Sequence, residues 1–200
     1  MIIAVDGPAA AGKGTIAGAL AQHFGYHFLD TGTLYRRVGL AVLKSGNDAA
    51  LIAKNLNGYT YQDSELRTEE VGAMASVVAV MPEVRSALLG FQRDFAAQKP
   101  GAVLDGRDIG TVVCPDADVK LFITASPEVR ARRRLAELKS YGTDVSFDVV
   151  LADIRLRDER DRTRAVAPLV SAADAVVIDT SELTAEEAIS AATRVANSAR

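Results

Sequence analysis

Residues 2–15 read Ile2-Ile3-Ala4-Val5-Asp6-Gly7-Pro8-Ala9-Ala10-Ala11-Gly12-Lys13-Gly14-Thr15. An apolar strand-like run passes directly into a loop in which Gly7 and Gly12 bracket four small residues. Such a backbone can curl so that its N–H groups point inward at phosphate oxygens. Lys13 adds a positive charge for β- and γ-phosphates, and Thr15 offers a hydroxyl for phosphate or Mg²⁺. Residues Gly14–Phe24 can form a helix whose N-terminus faces the same anion. A strand, this loop and a helix together predict nucleotide phosphate binding by Gly7, Pro8, Ala9, Ala10, Ala11, Gly12, Lys13, Gly14 and Thr15.

Working outward, short apolar runs alternate with helical patterns, the signature of a parallel sheet covered on both faces. The expected strands are Ile2–Asp6, His27–Asp30, Ala102–Asp105, Val119–Thr124 and Ala175–Asp179. The expected helices are Gly14–Phe24, Leu34–Ser45, Thr68–Val80, Pro82–Gln98, Pro127–Ser140, Phe147–Arg164 and Thr184–Ser198. The fold class is therefore α/β, with a five-stranded parallel sheet of the P-loop NTPase type flanked by helices. Residues 47–66 have weak periodicity, with Tyr59-Thr60-Tyr61 as a candidate short strand. Residues 130–147 start in a basic run and end in a polar turn, as expected of a mobile lid with few apolar contacts.

The chain has 200 residues, 48% hydrophobic and 24% charged, which suits one globular domain. A net charge of −3 argues against a nucleic-acid polymer as partner. Of the 23 basic residues 17 are Arg, the better bidentate partner for phosphate. Cys114 is the sole cysteine, so an intrachain disulfide is excluded; His23 and His27 lack acidic or thiol companions and read as structural. No apolar run approaches a membrane span and no signal peptide is evident, so a cytoplasmic protein without a membrane partner is expected, as a monomer.

Two further segments follow strands and so lie on the same sheet edge as the phosphate loop: Asp30-Thr31-Gly32-Thr33-Leu34-Tyr35-Arg36 and Asp105-Gly106-Arg107-Asp108-Ile109-Gly110-Thr111. Arg36 and Arg107 could grip a second phosphate there, assisted by the Tyr35 hydroxyl. A surface ion pair is the alternative for either arginine alone. On a late helix, Arg157, Asp161 and Arg164 share one face by i, i+4, i+7 spacing, whereas Arg155, Arg160 and Arg162 fall on solvent positions.

Gly-Lys-Gly-Thr resembles nucleoside monophosphate kinases more than GTPases or ABC-type ATPases. With Leu29-Asp30-Thr31-Gly32-Thr33-Leu34-Tyr35-Arg36, Asp105-Gly106-Arg107-Asp108-Ile109-Gly110-Thr111-Val112-Val113 and Arg157-Asp158-Glu159-Arg160-Asp161-Arg162-Thr163-Arg164, the chain is similar to the bacterial-type cytidylate kinases from residue 1 to about 179. Arg67-Thr68-Glu69-Glu70-Val71 and Pro82-Glu83-Val84-Arg85 look like that family's acceptor-domain segments. An adenylate kinase would carry Gly-Phe-Pro-Arg after the third strand, where this chain has Asp105-Gly106-Arg107-Asp108.

The resemblance implies ATP as phosphoryl donor, CMP and dCMP as acceptors, and Mg²⁺ as cofactor. It implies that Thr31, Arg85, Asp108 and Arg164 meet the cytosine, that Ser76, Arg157 and Asp161 contact the pentose, and that Tyr35, Arg36 and Arg107 hold the acceptor phosphate. Lys13, Arg36, Arg107 and Arg157 would carry catalysis, with Thr15 on the metal; one or two among Arg130, Arg132, Arg133 and Arg134 would close over ATP. The division implied is a core near 1–35, 100–128 and 165–200, an acceptor-binding region near 36–99, and a lid with its following helix near 129–164. Long members of the family carry a small sheet as an insert in the acceptor region. Only about twenty residues separate Asn47 from Arg67, so a reduced insert is expected. Related kinases of uridylate or shikimate, or an ATPase module acting on a protein, are the competing readings. Neither Asn-Lys-x-Asp nor Leu-Ser-Gly-Gly-Gln is present to favour a switch or transporter ATPase.

Overall fold

The computed structural model describes residues 1–199. Five parallel strands form one sheet: β1 (Ile2–Asp6), β2 (His27–Asp30), β3 (Ala102–Gly106), β4 (Val119–Thr124) and β5 (Val176–Asp179), in the order β2-β3-β1-β4-β5. Ile3, Ala4 and Val5 are fully buried on the central strand, which explains a run that is apolar on both faces rather than alternating.

Helices α1 (Lys13–Phe24) and α9 (Ala185–Ser198) cover one face. Ile16, Leu20, Ala188 and Ala192 pack there on Ile3, Val5, Leu121 and Ile123. Each large side chain so buried contributes roughly 1.5–3 kcal/mol. Between β2 and β3 lie α2 (Thr31–Ser45), α3 (Ala49–Lys54), α4 (Asp63–Leu66), α5 (Glu69–Val78) and α6 (Pro82–Ala96). Leu34, Val38, Ile52, Val78, Val84 and Leu88 bind most of them into a second apolar cluster. After β4 come α7 (Pro127–Ser140) and α8 (Phe147–Thr163).

Four expectations are corrected. Tyr59–Tyr61 is not a strand: the Tyr59 carbonyl accepts Arg37 Nε and Nη2, so tertiary capture outweighs the aromatic preference for β structure. Residues 47–66 are instead helical pieces. Asp48 accepts from the Leu51 amide as a cap, and Gln62 with Glu65 forms a capping box. Helix α2 begins at Thr31, not Leu34, so Thr31 and Gly32 are helical rather than loop. Finally, the 130–147 stretch is no loose cover: Ala131, Leu138, Val150 and Ile154 form an apolar seam between α7 and α8 that reaches Ala9 of the phosphate loop. The two helices are one packed unit joined through a turn at Gly142.

Candidate active site

The phosphate loop follows from local sterics. Gly7 has φ of 147°, and a Cβ there would lie 1.9 Å from the Ile123 carbonyl oxygen, so only glycine lets the loop leave β1 beside β4. Lys13 is buried; its Nζ donates to the Pro8 carbonyl at 2.9 Å and lies 3.8 Å from Asp105 Oδ1. Burial, followed by repulsion from Arg107, lowers the Lys13 ammonium to about 8, although Asp105 opposes the shift. The Asp105 carboxyl is raised, mainly by burial and despite Lys13. Thr15, at the exposed start of α1, turns to the same mouth.

A single cleft of about 1060 Å³ joins this loop to the ends of β2 and β3 and to helices α2, α5, α6, α7 and α8. Pockets for one drug-sized ligand run about 300–1,000 Å³, so this cleft is at the large end of that range. Every residue expected to contact the acceptor, from Thr31 to Arg164, lines it.

Two polar groups line the cleft beyond the phosphate loop. In the first, Asp108 is buried between two guanidiniums: Arg85 Nη2 donates to Oδ2, and Arg164 Nη2 lies 3.3 Å from Oδ1. Tyr35 belongs here too, since its hydroxyl accepts from Arg85 Nη1 at 3.4 Å. Burial raises the Tyr35 phenol, so it stays protonated as a donor. The structure thus puts the Tyr35 hydroxyl beside Arg85, Asp108 and Arg164. Thr31 Oγ1 donates to the Asp105 carbonyl at 2.7 Å and braces the backbone just before Gly106. Gly106 must lack a side chain, since a Cβ would come within 2.6 Å of Ile109 Cδ1 and 2.8 Å of Thr31 Oγ1.

In the second group, Arg107 Nε donates to Asp161 Oδ2 at 3.0 Å. Burial works against the Arg107 charge, but Asp161 and Asp105 outweigh it and hold the guanidinium above its usual value. Arg157 has no such anchor: its Nε is buried without a hydrogen-bond partner. Burial, with Arg107, Arg36 and Arg134 adding repulsion, pushes it down to about 9, although Asp161 opposes the shift. Arg36 is also lowered, by burial and then by Arg134, while its Nη1 donates to the Leu66 carbonyl at 2.7 Å. Cations crowded in this way against their own solvation demand an anion. Ser76 Oγ donates to the Gly72 carbonyl at 3.1 Å on the cleft wall.

The four arginines of α7 separate. Arg133 and Arg134 line the cleft, and Arg133 donates to the Ala11 carbonyl and to Thr180. Arg132 is exposed and outside it. Arg130 is 3% exposed and fully engaged by the Ala125 and Ala9 carbonyls and both oxygens of Asp158, so it ties α7 to α8 and to the phosphate loop. Spacing alone could not separate it from its neighbours. Asp158→Asn is expected to lower stability by about 1–3 kcal/mol, because a buried guanidinium loses its counter-charge; a urea melt measures this.

Among the described residues no cluster of three or more His, Cys, Asp or Glu is placed to hold a metal. Any divalent ion here must be held chiefly by nucleotide phosphates, with Thr15 as the protein hydroxyl that fits.

Lys13 with the phosphate loop and the buried arginines line one shared cleft, which suits phosphoryl transfer between two phosphorylated molecules, and the sheet supporting them is that of the P-loop kinases. A crystal structure of an uncharacterized protein from Eubacterium ventriosum shares this fold, with TM-score 0.61 at 14% identity and 99% of each chain covered. Sequence comparison is more specific. The family described as cytidylate kinase matches residues 3–198. A cytidylate kinase of Rhodospirillum rubrum is 59% identical over 202 residues, covering 96% of this chain and 95% of the relative. One of Azorhizobium caulinodans is 56% identical with both chains fully covered. The chain belongs to the cytidylate kinase family.

Proposed function

We propose that this cleft transfers the γ-phosphoryl group of ATP to CMP or dCMP, giving ADP and CDP or dCDP. The observation that carries the reading is Asp108 set between Arg85 and Arg164. An anionic acceptor flanked by two donors is the complement of the cytosine edge, whose exocyclic amine donates while N3 and O2 accept. Uracil places a carbonyl where cytosine has the amine, so UMP sets acceptor against acceptor and is rejected.

Ser76, Arg157 and Asp161 face the pentose side, and Arg36 and Arg107 hold the acceptor phosphate, which Tyr35 approaches from the base side. That phosphate is already an oxyanion, so no general base is required. Lys13, the loop amides, Arg107 and Arg157 neutralise charge on the transferring group and hold it in line. Mg²⁺, with Thr15 among its contacts, supplies further charge neutralisation when bound. Arg133 and Arg134 are the α7 residues that reach ATP, and closure of the packed α7–α8 unit excludes water. Residues 36–99 act as the acceptor-binding part and 129–164 as the lid. The enzyme acts as a monomer in the cytoplasm, without a nucleic-acid polymer or membrane.

An ATP-coupled assay over CMP, dCMP, UMP, AMP and shikimate tests the reading. CMP and dCMP should be turned over far faster than the rest. A preference for UMP, or rapid ATP hydrolysis with no acceptor, would overturn it.

A further inference from the structure

We propose that Asp6, at the C-terminal end of β1, is a positioning residue that fixes Asp108 and so sets the discrimination between cytosine and uracil. The inference rests on the CMP-kinase reading and adds to it a residue that does not line the cleft.

The geometry is specific. Asp6 is 5% exposed, and its two oxygens are divided between two backbone amides from the middle of the chain. Ile109 N donates to Oδ1 at 2.8 Å and Gly110 N donates to Oδ2 at 2.7 Å. These amides open the short helical turn Ile109–Val113, whose first N–H groups have no acceptor inside the turn. The turn starts at Asp108, whose own carbonyl accepts from the Val112 and Val113 amides at 2.9 and 3.1 Å. Arg93 closes the other end by donating to the Val112 and Val113 carbonyls. The Asp108 backbone is therefore gripped on its C-terminal side by Asp6, and Arg85 and Arg164 have only the side chain left to orient. Because Asp6 is bonded directly to Gly7, one carboxylate joins the donor loop to the acceptor-reading turn.

A carboxylate is required for this, because an amide of the same shape accepts through one atom only. Burial raises the Asp6 carboxyl to about 6 against the two amide hydrogen bonds that favour its charge. Asp108 repels it and Lys13 attracts it. Asp105 on β3 lies one residue away in register, Cys114 follows the turn, and the Lys120 stem reaches Gly110 while its ammonium pairs with Asp174. Ionised Asp6 holds both amides above about pH 6. Below that, protonation removes one strong acceptor.

The test is the ratio of kcat/KM for CMP to kcat/KM for UMP, measured between pH 5.5 and 8 for the wild-type enzyme and for Asp6→Asn. The ratio cancels titration of the nucleotide phosphate, which both substrates share. In the wild type it should fall as pH drops through about 6. In Asp6→Asn it should be about tenfold lower at pH 7.5 and flat with pH, with KM for ATP within about twofold. A folded variant with an unchanged ratio, or one that keeps the pH dependence, overturns the role. If the variant does not fold, a wild-type ratio that is flat across pH 6 overturns it. A wild type that prefers UMP would instead sink the functional reading, whatever Asp6 does.

Discussion

Lys13→Ala is expected to reduce kcat for CMP phosphorylation by about 10³-fold, the scale lost when a preorganised cation is removed from a transferring phosphoryl group. The residue is buried, held by the Pro8 carbonyl and faces Asp105, so it is placed before ATP arrives and costs little reorganisation during reaction. The same burial predicts a pH signature. A lysine lowered to about 8 is charged below that pH and neutral above it. In the free enzyme kcat/KM for ATP should therefore fall as pH rises through about 8. Bound polyphosphate favours the ammonium, so kcat itself should hold to higher pH. A Lys13→Ala enzyme within tenfold of wild-type kcat would contradict the role, as would parallel pH profiles for kcat and kcat/KM.

Arg157→Met is expected to reduce kcat/KM for CMP by about 10²–10³-fold while making the ligand-free protein more stable. Arg157 has a buried Nε without a partner and sits among Arg107, Arg36 and Arg134 with only Asp161 in opposition, an arrangement that favours catalysis over folding. Methionine keeps the stem's packing and removes the like-charge repulsion. The gain should be about 1 kcal/mol, or about 2–4 °C in Tm for a chain of this size. Differential scanning calorimetry without ligand, paired with the coupled assay, reads both. A lower Tm would show that Arg157 is a structural ion-pair member and not a cation held in reserve for phosphate.

How much of this the sequence discloses depends on how far apart the interacting residues lie. The β1–loop–α1 unit is legible because Gly7, Lys13 and the flanking apolar run are contiguous and each has a steric or electrostatic reason. Arg36 and Arg107 are legible as a pair because parallel strands deliver their C-terminal ends to one edge. The grouping of Arg85, Asp108 and Arg164 is not, since no spacing rule brings α6, the turn after β3 and the end of α8 together; only the resemblance to cytidylate kinases pointed there. Asp6 is hidden for the same reason, its amide partners lying 103 and 104 residues away. Arg130 illustrates the converse. Within a run of arginines it looks like its neighbours, and only the fold shows that Asp158 and two carbonyls consume its donors. Tyr59–Tyr61 misleads because local β preference is overruled by Arg37 from α2.

The central claim is that Asp108 reads the cytosine amine. Asp108→Asn tests it most directly, since the shape is kept and one of the two buried guanidiniums, Arg85 or Arg164, retains an oxygen partner. With CMP and UMP competing in one reaction, the CMP:UMP ratio of kcat/KM should fall about 10–100-fold relative to wild type, the cost of one charge-assisted hydrogen bond. KM for ATP should stay near its original value. An unchanged CMP:UMP ratio in a folded, active variant would contradict the account.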